Sequence, residues 1–503
     1  MILIFQNFRW AHMHIIMWGF LFLAGSSVLL GQDIQTKPAP QLLPNIDSAR
    51  KTLQERERLL LAEADVVNNT PAPSTTQPST SEAPADQSKE KEQPTEEVGK
   101  SNFNPERSLI SQEGDRALPV GGGNRVPFVI SDGGLPRLFP LGLRLPYMDL
   151  RPDLLVSAAY NDNIFLRSGK GFFTREADYI TTVSPRIAFT YGEDVQTEPD
   201  TTFTDFYYAP SFIFFADHTK EDGLNHDGSV QIGHRFSRLS LFAKEKFSQV
   251  TGGEIESGDL FNRRISLTDL SAEYELSPKT SMEWTGNIIY RDYDRGFDSL
   301  DAKTGIWFNY YITPKIKLGI GPNVGVVDVK NSVDQQYGRG LVRVVYSPSQ
   351  KLSTYIETGV DYRHYNGSSD DTWNFVLRSG GTWALAAQTN IHFNINRYIQ
   401  NSNTLRDQNQ TISGFYAGID HRFTKQVLAS LGGGYENAAY SSTSSTTHAS
   451  REDNFVSISP TLKISVKEWW DISGSYTYRR NMSNFSNNSF DNNVVNLSST
   501  IRF

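Results

Sequence analysis

The residues of this 503-residue chain best equipped to move a proton are a few histidines and the carboxylates near them. Asp361, His364 and His392 are the trio that neighbouring segments could gather into an acid–base site, and Asp420-His421 are direct neighbours. Adjacent residues of a strand point to opposite faces, so Asp420 and His421 cannot touch if they lie in one. None of the local patterns that catalysis leaves in a sequence is present: no Gly-x-Ser-x-Gly elbow, no His-Glu-x-x-His, no phosphate-binding loop. Asp292, Asp294 and Asp298 offer hard oxygen ligands of the kind Ca²⁺ takes, but a solvated acidic loop explains them as well. The chain has no cysteine, which removes disulfides and thiolate metal sites, and its formal net charge of −8 argues against nucleic-acid binding. These residues point away from an enzyme and call for no cofactor or metal.

The elements that carry these residues are strands. In Thr389-Asn390-Ile391-His392-Phe393-Asn394-Ile395-Asn396, apolar side chains take alternate positions and polar ones the rest. Leu352, Ile356, Val360 and Tyr362 oppose Glu357, Asp361 and Arg363 in the same way. Trp470, Ile472, Tyr476 and Tyr478 oppose Asp471, Ser473, Ser475 and Thr477, and the last strand sets Val495, Leu497, Ile501 and Phe503 against Asn496, Ser498, Thr500 and Arg502. A period of two places one set on each face of a sheet.

The connections alternate in length. Ser277-Pro278-Lys279, Thr313-Pro314-Lys315, Ser347-Pro348-Ser349, Thr424-Lys425-Gln426 and Val466-Lys467-Glu468 predict tight turns. Between them lie longer polar stretches at 251–262, 292–303, 328–336, 366–371, 400–409, 441–453 and 481–492. Transmembrane barrels have short periplasmic turns and long external loops. The region from residue 151 to 503 therefore predicts an all-β, antiparallel up-and-down transmembrane barrel of about eighteen strands. One connection, 192–201, is long and acidic where a short turn is expected, so it is either a periplasmic excursion or a sign of a miscounted hairpin.

A sheet closed in lipid turns its apolar row outward, and a lumen this wide cannot be filled by side chains. The inward row then holds Arg339, Arg343, Glu357, Asp361, Arg363, Arg378, His392, Asp420, Arg422, Lys463, Asp471 and Arg479 as lumen-lining candidates. Trp284, Trp307, Trp373, Trp383, Trp469 and Trp470 are candidates for the aromatic girdles at the two membrane interfaces.

The first 150 residues differ in texture. Arg9 followed by the apolar run 15–30 predicts a signal peptide over 1–31, too short for a comfortable membrane span. Residues 32–100 predict a short amphipathic helix and a disordered spacer rich in Pro, Ser, Thr and Glu. Residues 101–150, with Gly121-Gly122-Gly123 and several prolines, predict an irregular periplasmic or lumen segment.

The barrel region resembles an outer-membrane β-barrel porin family often associated with exopolysaccharide-biosynthesis operons. Ala158-Ala159-Tyr160-Asn161-Asp162-Asn163-Ile164-Phe165 on the first hairpin, the repeated Ser/Thr-Pro-Lys turns and the final 496–503 carry the resemblance, which leaves the spacer unmatched. The final strand likewise resembles the C-terminal signal of such barrels, so Phe503 is an expected assembly signal read by the barrel-assembly machinery. The resemblance implies a Gram-negative outer-membrane location and a part in polysaccharide export, and it supplies no catalytic residue. The sidedness of the strands implies passage of small polar solutes through a polar lumen. Export of a polysaccharide, or adhesion through Ser- and Asn-rich external loops, are the alternatives.

Overall fold

The computed structural model describes residues 148–503 apart from 171–173, 193–200, 258, 350, 367–370 and 444–449, together with the pairs 118–119 and 144–145. The expected signal peptide, spacer and most of segment 101–150 lie outside the described residues.

Alternation becomes a single antiparallel sheet. Eighteen long strands follow one another: β1 Met148–Asn161, β2 Asp178–Gly192, β3 Thr201–Phe215, β4 Gly223–Arg235, β5 Leu239–Glu254, β6 Asp259–Ser277, β7 Thr280–Tyr293, β8 Ser299–Thr313 and β9 Ile316–Val329. The circuit continues with β10 Gln335–Ser349, β11 Leu352–Tyr365, β12 Thr372–Ala386, β13 Thr389–Asn401, β14 Gln408–Arg422, β15 Val427–Ser442, β16 Glu452–Lys467, β17 Trp470–Ser483 and β18 Phe490–Arg502. Each pairs with the next, and β18 pairs back onto β1 from Val494 opposite Asn161 to Arg502 opposite Asp153. Closure satisfies every sheet edge, the condition for spanning lipid with strands. Two short segments extend the sheet: Arg144–Leu145 pairs with the start of β1, and Leu118–Pro119 pairs with Gly253 and Gly252 of β5.

The faces follow from register. In β10, Tyr337, Arg339, Leu341 and Arg343 are buried while Val342, Val344 and Tyr346 are exposed. An exposed apolar row of this kind runs round the outside of the sheet, with Ile320, Ile356, Phe375, Phe415, Leu462 and Leu497 among its members. Such a surface needs lipid against it. Trp284, Trp373, Trp383 and Trp469 are exposed, whereas Trp307 is 3% exposed and stands on the inward row, so it belongs to no girdle. Ile306-Trp307-Phe308 are all apolar, and alternation alone cannot say which of them faces in.

The turns repeat one local solution. The backbone N–H of Lys279 donates to Ser277 Oγ, that of Lys315 to Thr313 Oγ1 and that of Lys351 to Ser349 Oγ, each at 3.2 Å. A hydroxyl accepting from the backbone two residues on is the turn chemistry that favours Ser and Thr at these positions. The third turn therefore sits at 349–351, two residues beyond the expected Ser347-Pro348-Ser349, which remains within β10. β2 and β3 pair directly, so 193–200 is one connection and no hairpin is missing.

At the other end the connection 366–371 falls where it is expected, and the others are shorter than expected. Connection 255–258 replaces the expected 251–262, and 294–298 replaces 292–303. Strand pairing needs only backbone groups, so the ladders continue past the point where the outward row turns polar.

Candidate functional site

Register sets the twelve candidates on the face opposite the exposed apolar row. Pairing sets Arg339 opposite Asp361, Arg343 opposite Glu357, and Glu357 opposite Arg378. Arg339 Nε donates to Asp361 Oδ2 at 2.6 Å, and Arg363 Nε donates to Asp361 Oδ1 at 2.9 Å. Both guanidinium groups lie over the Tyr337 ring, at 4.7 and 4.6 Å from its centre. Arg343 donates to Glu283 at 2.5 Å and to Asn309 at 3.0 Å, with its guanidinium 4.3 Å from the Trp307 ring. Stacked and paired in this way, the arginines lie along the wall.

Further round the ring, His392 and Asp420 approach to 3.7 Å, and Lys463 Nζ lies 3.0 Å from Asp471, which Arg502 also contacts. Arg479 donates to Asn492 at 3.4 Å. Arg422 closes the inward row of β14, opposite Leu428. His364 takes the outward face and meets Asp371 at 2.8 Å, so Asp361, His364 and His392 do not converge. Among the described residues no group of three His, Asp or Glu side chains is placed to hold a metal. Of the Asp292, Asp294 and Asp298 set, Asp298 accepts from Lys330 at 2.8 Å and Asp292 lies 3.5 Å from Arg264.

Two hairpins leave the wall at the extracellular end. The β4–β5 ladder stops at His226 opposite Gln249, yet β5–β6 continues to Glu254 opposite Asp259. Likewise the β12–β13 ladder stops at Leu377 opposite Arg397, while β13–β14 continues to Asn401 opposite Asn409. The released tips are buried on both faces: Gly252, Gly253, Glu254, Ile255 and Glu256 in one, Asn401, Ser402, Asn403, Gln408, Asn409 and Gln410 in the other.

They meet at one carboxylate. Glu256 accepts from Gln410 Nε2 at 2.7 Å, Thr404 Oγ1 at 2.8 Å, the Asn403 backbone N–H at 3.2 Å and the Ser402 hydroxyl. β5 and β14 stand nine strands apart in a ring of eighteen, so the Glu256–Gln410 bond bridges opposite walls across the mouth.

The crossing is fastened on its other side as well. Asn409 and Gln335 exchange amide hydrogen bonds at 2.8 and 3.0 Å, Asn409 donates to Tyr365 at 3.1 Å, and Arg363 donates to the Ile399 carbonyl at 3.3 Å. Gly296, at φ +142°, lets the Asn403 carbonyl lie where a Cβ would be 2.5 Å from it. That approach allows Phe297 N–H to donate to the same oxygen at 2.8 Å. Apolar side chains fill in beside the crossing: Leu166, Ile255, Phe455 and Phe490 form one buried cluster. The inward row is thus polar along much of the wall and partly apolar at its outer end. Glu256 and its partners fall in polar stretches without periodicity; the only local signal is Gly252-Gly253 beside Glu254 and Glu256.

A separate clasp holds the first external loop. His218, in the β3–β4 connection, meets Asp178 at 2.7 Å and Glu176 at 2.8 Å. The Asp178 hydrogen bond first, then Glu176, raise the His218 pKa above its ordinary 6.5. A raised folded-state pKa contributes stability that is fully present below about 6.5 and lost as pH climbs through the raised value. Amide-exchange protection of residues 174–178 should therefore be greatest in mild acid and fall with rising alkalinity. His218→Gln should flatten that profile, and an unchanged profile would disprove the clasp.

Residues 375–503, from within β12 to the end of β18, match the family model described as "Putative beta-barrel porin 2". No curated protein matches the chain. Among solved structures, OpdK of Pseudomonas aeruginosa with vanillate is similar over 70% of this chain and 99% of its own, with 9% identity and a TM-score of 0.39. OccAB3 of Acinetobacter baumannii gives the same values, and a BenF-like porin of Pseudomonas fluorescens Pf-5 gives 10% identity and 0.38 over the same shares. The family match, the closed sheet and its apolar outer row make this a porin-like β-barrel of the bacterial outer membrane.

Proposed function

We propose that the protein passes small polar solutes through its lumen and that admission is set at the extracellular end, where the β5–β6 and β13–β14 tips cross. The observation that carries this reading is the Glu256–Gln410 bridge above a wall of paired charges. The paired wall offers hydrogen-bonding groups to a polar solute, and the bridge limits what reaches it. Liposomes reconstituted with the protein should swell in small sugars and stop swelling as solute size grows. If neither the wild type nor a variant with connection 402–407 shortened permits swelling, the barrel is not a channel.

Phe503 is the assembly signal in this reading. Its backbone N–H donates to the Pro152 carbonyl at 3.0 Å beside the β1–β18 seam, and its ring is exposed. A ring presented at the seam is available to the machinery that inserts barrels. Removing Phe503 should lower outer-membrane insertion several-fold, while inserted molecules keep the wild-type solute range. Normal insertion without Phe503 would refute this role.

A further inference from the structure

The outward face carries two charges within the lipid band. Glu245, near the middle of β5, faces out with its cross-strand neighbour Thr268, and its carboxylate accepts from Thr268 Oγ1 at 2.5 Å and from the Ser266 hydroxyl. Arg397 faces out from β13, donating to Ser413 Oγ at 2.7 Å and to the Phe375 carbonyl at 3.2 Å. Neither makes an ion pair among the described residues. Outward Arg264, by contrast, stands near the extracellular end and lies 3.5 Å from Asp292. An unpaired charge facing lipid is costly and marks a functional surface.

Register places Val230 opposite Glu245 on the outward face, with Ala243 and Phe247 beside it along β5. Around Arg397 the outward row holds Leu377 opposite it and Ile395 beside it, with the exposed rings of Phe375 and Phe415 flanking them, so each charge stands in an apolar surface.

We propose that these faces meet between copies of this chain: Glu245 of one barrel receives Arg397 of the next. Glu245 lies six residues above the start of β5 and Arg397 eight above the start of β13. With a rise of ~3.3 Å per residue and a strand tilt of ~40°, that is roughly 15 and 20 Å above the periplasmic turns. The long arginine side chain spans the difference. Each carboxylate oxygen already holds one hydroxyl and has a lone pair left, and the guanidinium keeps unused donors. β5 and β13 are eight strands apart in a ring of eighteen, on nearly opposite sides. A head-to-tail contact between nearly opposite faces does not close into a small ring, so it builds rows of barrels.

The chain has no cysteine, so thiols introduced beside the charges are the only ones present. Ala243→Cys and Ile395→Cys sit on the outward row next to Glu245 and Arg397 and leave both charges in place. Mild oxidation of the full-length double variant in native outer membranes should give a ladder of dimers, trimers and longer species. Adding Glu245→Lys should reduce the ladder tenfold or more, and Glu245→Lys with Arg397→Glu should restore it. A ladder insensitive to Glu245→Lys, a dimer from Ala243→Cys alone, or no ladder from inserted barrels would each overturn the proposal. If the cysteine variants fail to insert, co-purification of two differently tagged copies decides: wild-type charges should co-purify and Glu245→Lys should not.

Discussion

Replacing Glu256 with alanine should raise the current through the reconstituted barrel tenfold or more. Its carboxylate joins the two inward hairpins, with three side-chain donors and one backbone donor from residues 402–410. A hydrogen bond to a charged group contributes about 1.5–3 kcal/mol net. About 1.4 kcal/mol already shifts an equilibrium tenfold, so losing even one such bond moves the crossing toward its released form. Alanine also removes the Glu256 acceptor from the amide of Gln410, itself 0% exposed, which weakens that side chain's hold on the crossing. Planar-bilayer recordings at fixed voltage test this, with Glu256→Gln expected between the two because it keeps one acceptor and loses the charge. Equal conductance in wild type and alanine variant would show that the crossing does not limit flow. The substitution leaves in place the Glu256 backbone carbonyl to which Asn488 donates at 2.9 Å and the whole β1–β18 ladder, so the variant should insert and run as a folded barrel.

Asp361→Ala should be the most destabilising single change in the barrel wall, costing about 3–5 kcal/mol, the range for breaking a buried ion pair by removing one partner. Asp361 is 0% exposed and is shared by Arg339 and Arg363, themselves 9% and 1% exposed, so its loss takes the common carboxylate from two desolvated cations. Arg363 also reaches Gln335 at 3.0 Å and the Ile399 carbonyl, so the loss loosens the support under the crossing hairpin. Guanidinium unfolding in detergent should show a lower midpoint, and Asp361→Asn should show a smaller shift because an amide still accepts one hydrogen bond. A loss below about 1 kcal/mol would mean that water reaches both arginines and that the wall is not dry there.

The barrel was legible because two solvents stamp a period of two on each strand. Ile391, Phe393 and Ile395 share the outward row while His392, Asn394 and Asn396 share the inward one. The same physics hid Trp307, which sits among apolar neighbours where the pattern has no contrast. It also hid the true loop lengths, since ladders persist beyond the lipid on backbone bonds alone. The crossing was not legible at all. Glu256 meets Gln410 through a contact between opposite walls, and nothing local in either segment marks a partner more than a hundred residues away. Glu245 and Arg397 were readable as charges on an apolar row, but alternation treats such residues as breaks in the pattern and gives no hint that they complement one another.

The seam between β1 and β18 has a kinetic consequence. Every other ladder among the eighteen long strands joins neighbours in the chain, so each can zip as soon as a connecting loop closes. The seam joins the two ends of the barrel sequence, and its closure carries the entropy of the longest loop in the fold. On that ground it should be the slowest ladder to close, and it cannot begin until the last strand is available. Asn161, Asp162 and Asn163 stand at this junction: Asn492 donates to Asn161 at 2.6 Å, and Asn493 donates twice to Asp162 at 2.7 Å. Asn163 donates to the Asp491 carbonyl at 2.9 Å. These bonds form only after the ends have met, so they slow reopening of the finished cylinder and do not hasten its making.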